Sequence, residues 1–330
     1  MKNKDLKKSY NMKIESPAFR KSLSLDKKTI QNRYAIVYKE TFQTNVPGTA
    51  AHIIYHSKNL LKNKRILDLG CGAGRLSLYS AKFAKSVTGI DYIPRAIFFA
   101  NKFAQLCNVK NVNFLTGDID KSIKNKYDVV LISDVLQHVN NPKKTLEKTS
   151  KLLKPKGWAI ISIPSFTNFR GNVWLALQNL FELPMSLTDT YQISLEEMKK
   201  WANQVGFNLV KTVGISYDWA WSIWGIEDLK RRIYLATKDA KMTKFTDMKK
   251  MNSWLDENII PNKQFLDYLI KKKIVKKRPK FSVLKIPKTS KEIKTYLDDG
   301  NTVINPYYST VEPFNRMGAG IIYFLNKNLF

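Results

Sequence analysis

Cysteine and histidine are scarce in this sequence of 330 residues, which contains two cysteines and three histidines. So few cysteines cannot build a disulfide scaffold, and a reducing compartment is therefore expected. No uncharged run is suited to cross a bilayer, because the longest, residues 41–57, contains Gln43, Pro47 and His52. The polar start, Met-Lys-Asn-Lys-Asp, does not resemble a secretory signal, so we expect a cytoplasmic location.

Acidic side chains are also under-represented, with 27 against 56 basic ones and a formal net charge of +29. The basic residues are densest in the N-terminal arm and in Lys271–Lys280. Such a field attracts phosphate polymers or anionic lipid headgroups. Lysine dominates, with 46 residues against 10 arginines, whereas specific phosphate and base contacts rely on arginine. RNA binding and contact with an anionic membrane therefore stay open beside a solvated surface without a partner.

From residue 65 onward, short apolar runs alternate with segments long enough for a helix. Hydrophobic residues make up 44% of the chain, which is enough for a sizeable core. The alternation predicts a parallel sheet covered by helices on both faces, with right-handed crossovers. The predicted strands are Arg65–Cys71, Ser86–Asp91, Val112–Asp118, Tyr127–Asp134 and Gly157–Pro164, and the helices between them are Arg75–Lys85, Ile93–Cys107 and Pro142–Leu153.

Two further strands are predicted after this alternation. A helix begins after Ser194, with Glu197 placed for a capping box, and ends near Gly206. The strand Phe207–Tyr217 follows it, and Gly318–Lys327 gives one more strand far along the chain. The alternative is that 218–330 is a separate small domain. The expected domains are a basic N-terminal arm or lid (1–45), the core (46–217), a mostly helical basic insertion that caps the substrate (218–317) and the final core strand (318–330).

A glycine-rich turn follows the first predicted strand. Its sequence is Gly70-Cys71-Gly72-Ala73-Gly74, and Asp68 precedes it within the strand. Glycine permits a tight turn and lets a ligand approach the main chain closely, and the helix start beyond it offers free amides. The dinucleotide motif G-x-G-x-x-G/A would need a small residue where Arg75 stands, so the spacing fits that motif poorly.

Two acidic residues end the neighbouring strands. A carboxylate at Asp91 can accept hydrogen bonds from a ribose diol, and one at Asp118 can accept from an exocyclic amine. The carboxyl ends of neighbouring strands converge on the crevice where open sheets bind ligands. Alternatively, each acid merely caps the turn that follows it. Together with the glycine turn, the two acids favour one shared ligand.

The motifs ILDLGCGAGRLS, VTGIDY, NFLTGDID and YDVVLISDVLQHV resemble those of class I S-adenosylmethionine-dependent methyltransferases. The most similar group includes quinone-biosynthesis and other small-molecule methyltransferases. The resemblance covers residues 50–217 and the final strand, and not the arm or the insertion. It implies a Rossmann-like α/β fold whose seven-stranded, mostly parallel sheet has an antiparallel last strand inserted beside the fifth. It also implies S-adenosylmethionine as the cofactor and methylation of a small or medium-sized acceptor at O, N or C.

The resemblance assigns roles within the cofactor site. Asp68 and the glycine turn would hold the methionine part, and Asp91 would hold the ribose. Tyr92 or Ile93 would flank the adenine, Asp118 with Ile119 would contact its edge, and Ser133 would lie near the transferable methyl group. The cofactor-binding residues implied in this way are Asp68, Gly70, Cys71, Gly72, Gly74, Asp91, Tyr92, Ile93, Asp118, Ile119 and Ser133.

The acceptor side is less clearly marked in the sequence. His138, after the fourth strand, is a candidate general base, and the alternative is that it packs the following helix. Phe166 and Phe169, after the fifth strand, could line an acceptor pocket or belong to a surface turn, whereas Trp219, after the sixth, could line the pocket or belong to the core of the insertion. The candidate acceptor-binding residues are Phe166, Phe169, Arg170 and Trp219.

No metal site is predicted. His52 and His56 are one helical turn apart, as metal ligands can be, yet no cysteine or acid cluster completes a site. Two other functions stay open beside small-molecule methylation: an RNA methyltransferase that uses the basic surface, and a catalytically silent binding module on the same fold. The sequence does not predict an oligomeric state.

Overall fold

The computed structural model describes residues 49–119, 123, 125–181, 191–217, 220, 229–230, 248–258, 268, 271–273 and 310–328. The predicted arm 1–45, most of 218–317 and the candidate residue Trp219 lie outside the described residues. The helices are α1 (Thr49–Leu61), α2 (Arg75–Ser80), α3 (Pro94–Leu106), α4 (Pro142–Leu152), α5 (Phe169–Phe181), α6 (Leu195–Gln204) and α7 (Met248–Asn258). The strands are β1 (Arg65–Leu69), β2 (Ser86–Asp91), β3 (Val112–Thr116), β4 (Tyr127–Ser133), β5 (Leu153–Pro164), β6 (Phe207–Ile215) and β7 (Gly320–Lys327).

These strands form one sheet in the order β3-β2-β1-β4-β5-β7-β6. Strands β1 to β5 pair in parallel. Strand β7 lies between β5 and β6 and is antiparallel to both. The predicted Rossmann-like, mostly parallel sheet with an antiparallel last strand beside the fifth is therefore confirmed.

Several strand ends differ from the prediction by a few residues because the backbone turns before the apolar pattern ends. Strand β1 stops at Leu69, since Gly70 takes a φ of 71°. Strands β4 and β6 stop before Asp134 and Ser216, whose φ values are 54° and 60°. Strand β5 begins earlier than predicted, at Leu153.

Alternating side chains divide the core between the two faces of the sheet. On β1, Ile66 packs with the cluster that contains α1, α2 and α3, whereas Leu67 packs with the cluster that contains α4 and α6. The predicted helices on both faces are thus confirmed. A third, smaller cluster joins α5 to α7 through Val173, Trp174, Leu177, Leu229, Met251 and Leu255. Among the described helices, none is both long and apolar enough to cross a bilayer.

His52 is a polar residue on the buried side of α1. Its side chain is fully buried, and neither ring nitrogen has a hydrogen-bond partner. Burial lowers the pKa of His52 from 6.5 to about 4. The folded protein therefore holds this imidazole neutral in a range where the unfolded chain binds a proton.

Replacing His52 by phenylalanine should make the fold less sensitive to acid. Because the pKa is lower in the folded state, stability is lost as the pH falls through 6.5 towards about 4. We expect wild type to lose about 2 kcal/mol more than His52→Phe between about pH 7.5 and about pH 5. Urea unfolding at both pH values measures this difference. Ser80→Ala, which removes a buried hydroxyl that does not titrate, is the control; equal pH dependence in wild type and His52→Phe would contradict the assignment.

Candidate active site

The glycine turn is fastened to the neighbouring strand by backbone hydrogen bonds. The amides of Gly70 and Cys71 both donate to the carbonyl oxygen of Ile90, at 2.8 and 3.1 Å. Gly70, Gly72 and Gly74 have φ values of 71°, 54° and 80°, in the left-handed region that favours glycine. The turn therefore leaves the carboxyl end of β1 in a conformation that depends on its three glycines.

Two apolar side chains that the sequence analysis missed press against this turn. A Cβ atom on Gly70 would lie 2.4 Å from Cγ2 of Val135, and one on Gly74 would lie 2.6 Å from Cζ of Phe114. The available signal for Phe114 was its place as the central apolar residue of β3. No local pattern pointed to Val135, because the contact joins the loops after β1 and β4.

Asp91 organises the centre of the site. Its Oδ2 accepts a hydrogen bond from the amide of Gly72 at 2.9 Å, and its Oδ1 accepts one from the amide of Ile93 at 2.9 Å. Burial raises the pKa of Asp91, and the hydrogen bonds from backbone amides oppose that rise. The turn-capping role is therefore present in the structure. Each carboxylate oxygen can accept a further hydrogen bond, so the ribose role stays compatible with it.

Asp68 is a buried carboxylate beneath the same turn. Its Oδ2 accepts a hydrogen bond from the hydroxyl of Ser77 at 2.6 Å, and both residues are buried. Burial raises the pKa of Asp68 to about 7, hydrogen bonds from Ser77 act against the rise, and the nearby charge of Asp91 adds to it. Ser77 was not among the predicted site residues, because a serine within a helix carries no motif of its own.

The residues implied for the nucleoside side lie at adjacent strand ends. The amide of Gly117 donates to the carbonyl oxygen of Asp91 at 2.9 Å, which brings Asp118 beside the end of β2. Tyr92 is half-buried, and its hydroxyl has no hydrogen-bond partner. Burial, together with the charges of Asp91 and Asp118, raises the pKa of Tyr92 to about 12. Ile93 is buried and Ile119 is half-buried, so the structure brings the predicted nucleoside-side residues together.

Ser133 lies at the junction of β4 and β5. Its hydroxyl is 3.0 Å from that of Ser162, which also accepts a hydrogen bond from the amide of Asp134 at 3.1 Å. Further along the loop, Nε2 of His138 lies 3.2 Å from Nε2 of Gln137.

The acceptor-side candidates follow β5. The rings of Phe166 and Trp174 have centroids 4.5 Å apart, and Phe169 packs against the same cluster. Arg170 is buried. The chain returning to β7 lies alongside, since the hydroxyl of Thr167 donates to the carbonyl oxygen of Arg316 at 2.9 Å. These aromatic residues therefore pack at the small cluster between α5 and α7, and the return segment is attached beside it.

The described residues contain no group of three or more His, Cys, Asp or Glu side chains placed to hold a metal ion. The rings of His52 and His56 are nearly parallel, with centroids 6.4 Å apart. Cys71 and Cys107 are both free thiols.

Comparison with known proteins decides the family. The profile of a family described as "Methyltransferase domain" matches residues 60–221. The chain is 31% identical over 163 residues to a ubiquinone biosynthesis O-methyltransferase of Coxiella burnetii. The aligned residues make up 48% of this chain and 69% of that protein. The chain is 30% identical over 196 residues to the protein of the same name from Rickettsia akari, covering 57% and 78%.

The chain belongs to the class I S-adenosylmethionine-dependent methyltransferases. S-adenosylmethionine is accordingly its cofactor, and methyl transfer is its reaction. Among solved structures, this methyltransferase overlaps the YcgJ protein from Bacillus subtilis with a TM-score of 0.48 and 13% identity, covering 84% of this chain and 97% of that one.

Proposed function

We propose that this methyltransferase transfers the methyl group to an oxygen atom of a small, ring-containing acceptor. The observation that carries the proposal is the glycine turn, which is bonded to Asp91 through the amide of Gly72 and lies next to the buried carboxylate of Asp68. The names of the two relatives, both O-methyltransferases, favour oxygen as the methylated atom. The half-buried rings of Phe166 and Phe169, after β5, favour a ring in the acceptor.

The residues of the site fit the cofactor. A Cβ on Gly70 or Gly74 would overlap Val135 or Phe114, so only glycine fits at these two positions of the turn. The buried Asp68 carboxylate suits the cationic end of the methionine part. We propose that Asp91 accepts the ribose hydroxyls, that Tyr92 and Ile93 flank the adenine, and that Asp118 and Ile119 meet its edge.

The distribution of charge favours a small acceptor over RNA. The described residues directly after β1, β2, β4 and β5, on the side of the sheet where the cofactor turn lies, contain no lysine, and Lys126 ends the segment after β3, at the start of β4. By contrast, lysines cluster at the opposite edge of the sheet, where the parallel strands begin and the antiparallel β7 ends. They are Lys62, Lys64, Lys85, Lys110, Lys126, Lys154, Lys156 and Lys327. At the described carboxyl ends of the strands, an RNA acceptor would therefore meet Asp118, Asp134 and the exposed Arg75, but no row of lysines.

The chemistry needs alignment more than activation. The cofactor supplies an activated methyl group, so the protein mainly orients the acceptor oxygen in line with it. The ends of β4 and β5, joined through Ser133 and Ser162, form the rigid support on which this alignment would rest. A hydroxyl acceptor must also lose its proton, which calls for a base when the hydroxyl arrives protonated.

A combined binding and turnover assay tests the proposed function. Isothermal titration should show that purified protein binds S-adenosylmethionine, and labelled methyl should then appear on a phenolic acceptor in a panel of phenols, amines and transfer RNA. Labelling of RNA alone, with affinity that falls steeply as salt is added, would favour the RNA alternative. Binding without turnover across the panel would favour a silent module.

His138 is the candidate base within this proposal. Of the three histidines in the chain, His52 and His56 lie on α1, and only His138 lies in a loop after a strand. We expect His138→Gln to lower kcat on a phenol about 100-fold near neutral pH, as loss of a general base does. The rate should recover at alkaline pH, where the phenol ionises by itself. An unchanged kcat with lowered thermal stability would assign His138 to packing instead.

A further inference from the structure

Among the residues that the structure describes, Ser77 alone donates hydrogen bonds to the buried carboxylate of Asp68. The hydroxyl of Ser77 donates to Oδ2 at 2.6 Å, and the backbone amide of Ser77 also favours the charged carboxylate. Ser77 is 0% exposed and Asp68 is 1% exposed, so water does not compete for this bond. This hydrogen bond attaches the first turn of α2 to Asp68 in β1.

The surroundings of Asp68 make this bond important. The titratable groups that act with it are Asp91 at the end of β2 and the thiol of Cys71 in the glycine turn. Among the described residues, no cation is recorded as acting on Asp68. A buried anion without a cation depends on hydrogen bonds or on a bound cation to stay ionised.

We propose that Ser77 is a positioning residue for the methyl donor: its hydroxyl holds one oxygen of Asp68, so that the carboxylate stays ionised and presents its other oxygen to the cationic methionine end. This inference rests on the cofactor placement given under the proposed function. Ser77 acts through Asp68 and not by touching the ligand.

Removing the hydroxyl should therefore change how cofactor affinity depends on pH. The pKa of Asp68 is already about 7, so the loss of a donor raises it further and leaves less carboxylate ionised at neutral pH. A hydrogen bond to a charged group accounts for about tenfold or more in affinity. Ser77→Ala should thus weaken binding of S-adenosylmethionine about tenfold near pH 7 and approach wild type near about pH 9.

Isothermal titration with S-adenosylmethionine from about pH 6 to about pH 9 measures this shift. Ser80→Ala is the matched control, because Ser80 lies on the same helix, is equally buried and has a hydroxyl without a partner. Its pH profile should match that of wild type. Ser77→Cys keeps a side chain of similar size with a weaker donor, and it should shift the profile in the same direction as Ser77→Ala. Should Ser77→Ala fail to fold, Ser77→Cys carries the same test.

The outcomes separate this inference from the function beneath it. If wild type does not bind the cofactor at any pH, the proposed site fails, and the role of Ser77 fails with it. If wild type binds and the Ser77 variants lose affinity equally at all pH values, the site stands and Ser77 is only structural. In Asp68→Asn, which cannot ionise, adding Ser77→Ala should cause no further pH shift; a persistent shift would also overturn the inference.

Discussion

Replacing Asp91 by alanine should weaken binding of S-adenosylmethionine by about 100-fold or more. The carboxylate of Asp91 holds the amides of Gly72 and Ile93, so its loss frees the glycine turn and the start of α3 together. Hydrogen bonds to a charged group are each worth about 1.5–3 kcal/mol. Two such bonds exceed the roughly 3 kcal/mol that a 100-fold change requires. The loss should appear in the dissociation constant measured by isothermal titration.

Asp128→Ala is the control for this experiment. Asp128 also accepts a hydrogen bond from a backbone amide, that of Arg65 at 2.7 Å, and it pairs with Lys154 at 2.8 Å. It stands near the start of β4, at the other edge of the sheet. Asp128→Ala should therefore lower stability without changing cofactor affinity. Equal losses of affinity in Asp91→Ala and Asp128→Ala would show that the effect is general unfolding and would remove Asp91 from the site.

Asp91→Asn refines the same prediction. An asparagine can accept from one of the two amides, but its NH2 group would then face the other amide, and two donors cannot pair. We expect an affinity between those of wild type and Asp91→Ala. An affinity equal to that of wild type would mean that the turn does not need both hydrogen bonds.

The fold was largely predictable because the apolar runs and the spacers between them differ in length and period. The parallel part of the sheet follows from that alternation alone. The place of β7 does not: nothing within Gly320–Lys327 states which strands it pairs with, and its position beside β5 came from the family resemblance. Strand ends were missed where Asp134 and Ser216 take positive φ values, since these residues also occur in ordinary strands and loops.

Site residues whose role depends on their own chemical group could be predicted from the sequence. Residues whose role depends on a tertiary contact could not. Asp91 could be found because a carboxylate at the end of β2 stands beside the glycine turn that follows β1, where the two can share a ligand. Phe114, Val135 and Ser77 were missed because their importance lies in what they touch. Ser77 and Asp68, for example, are nine residues apart and meet only through the geometry of the glycine turn.

Gly74→Ala should be a damaging small change in the turn. Alanine at a φ of 80° costs about 1–2 kcal/mol in backbone strain. Its Cβ would also lie 2.6 Å from Cζ of Phe114 and 3.0 Å from Cβ of Ala100, an overlap that costs about 1–3 kcal/mol more. Both the free energy of unfolding and cofactor affinity should fall, because the overlap pushes the turn away from β3. Chemical denaturation and isothermal titration measure the two losses.

Gly206→Ala separates strain from overlap. Gly206 has a φ of 82°, yet a Cβ there would have no neighbour within 4 Å. Its loss of stability should therefore be smaller than that of Gly74→Ala by about 1–3 kcal/mol, the part due to overlap, and its cofactor affinity should be unchanged.

Shortening the side chain of Phe114 should restore part of the stability that Gly74→Ala loses. Gly74→Ala combined with Phe114→Leu should be more stable than the sum of the single changes predicts, since the two side chains compete for one volume. Additive losses would mean that the turn accommodates the methyl group by moving elsewhere, and that Phe114 does not shape the cofactor site.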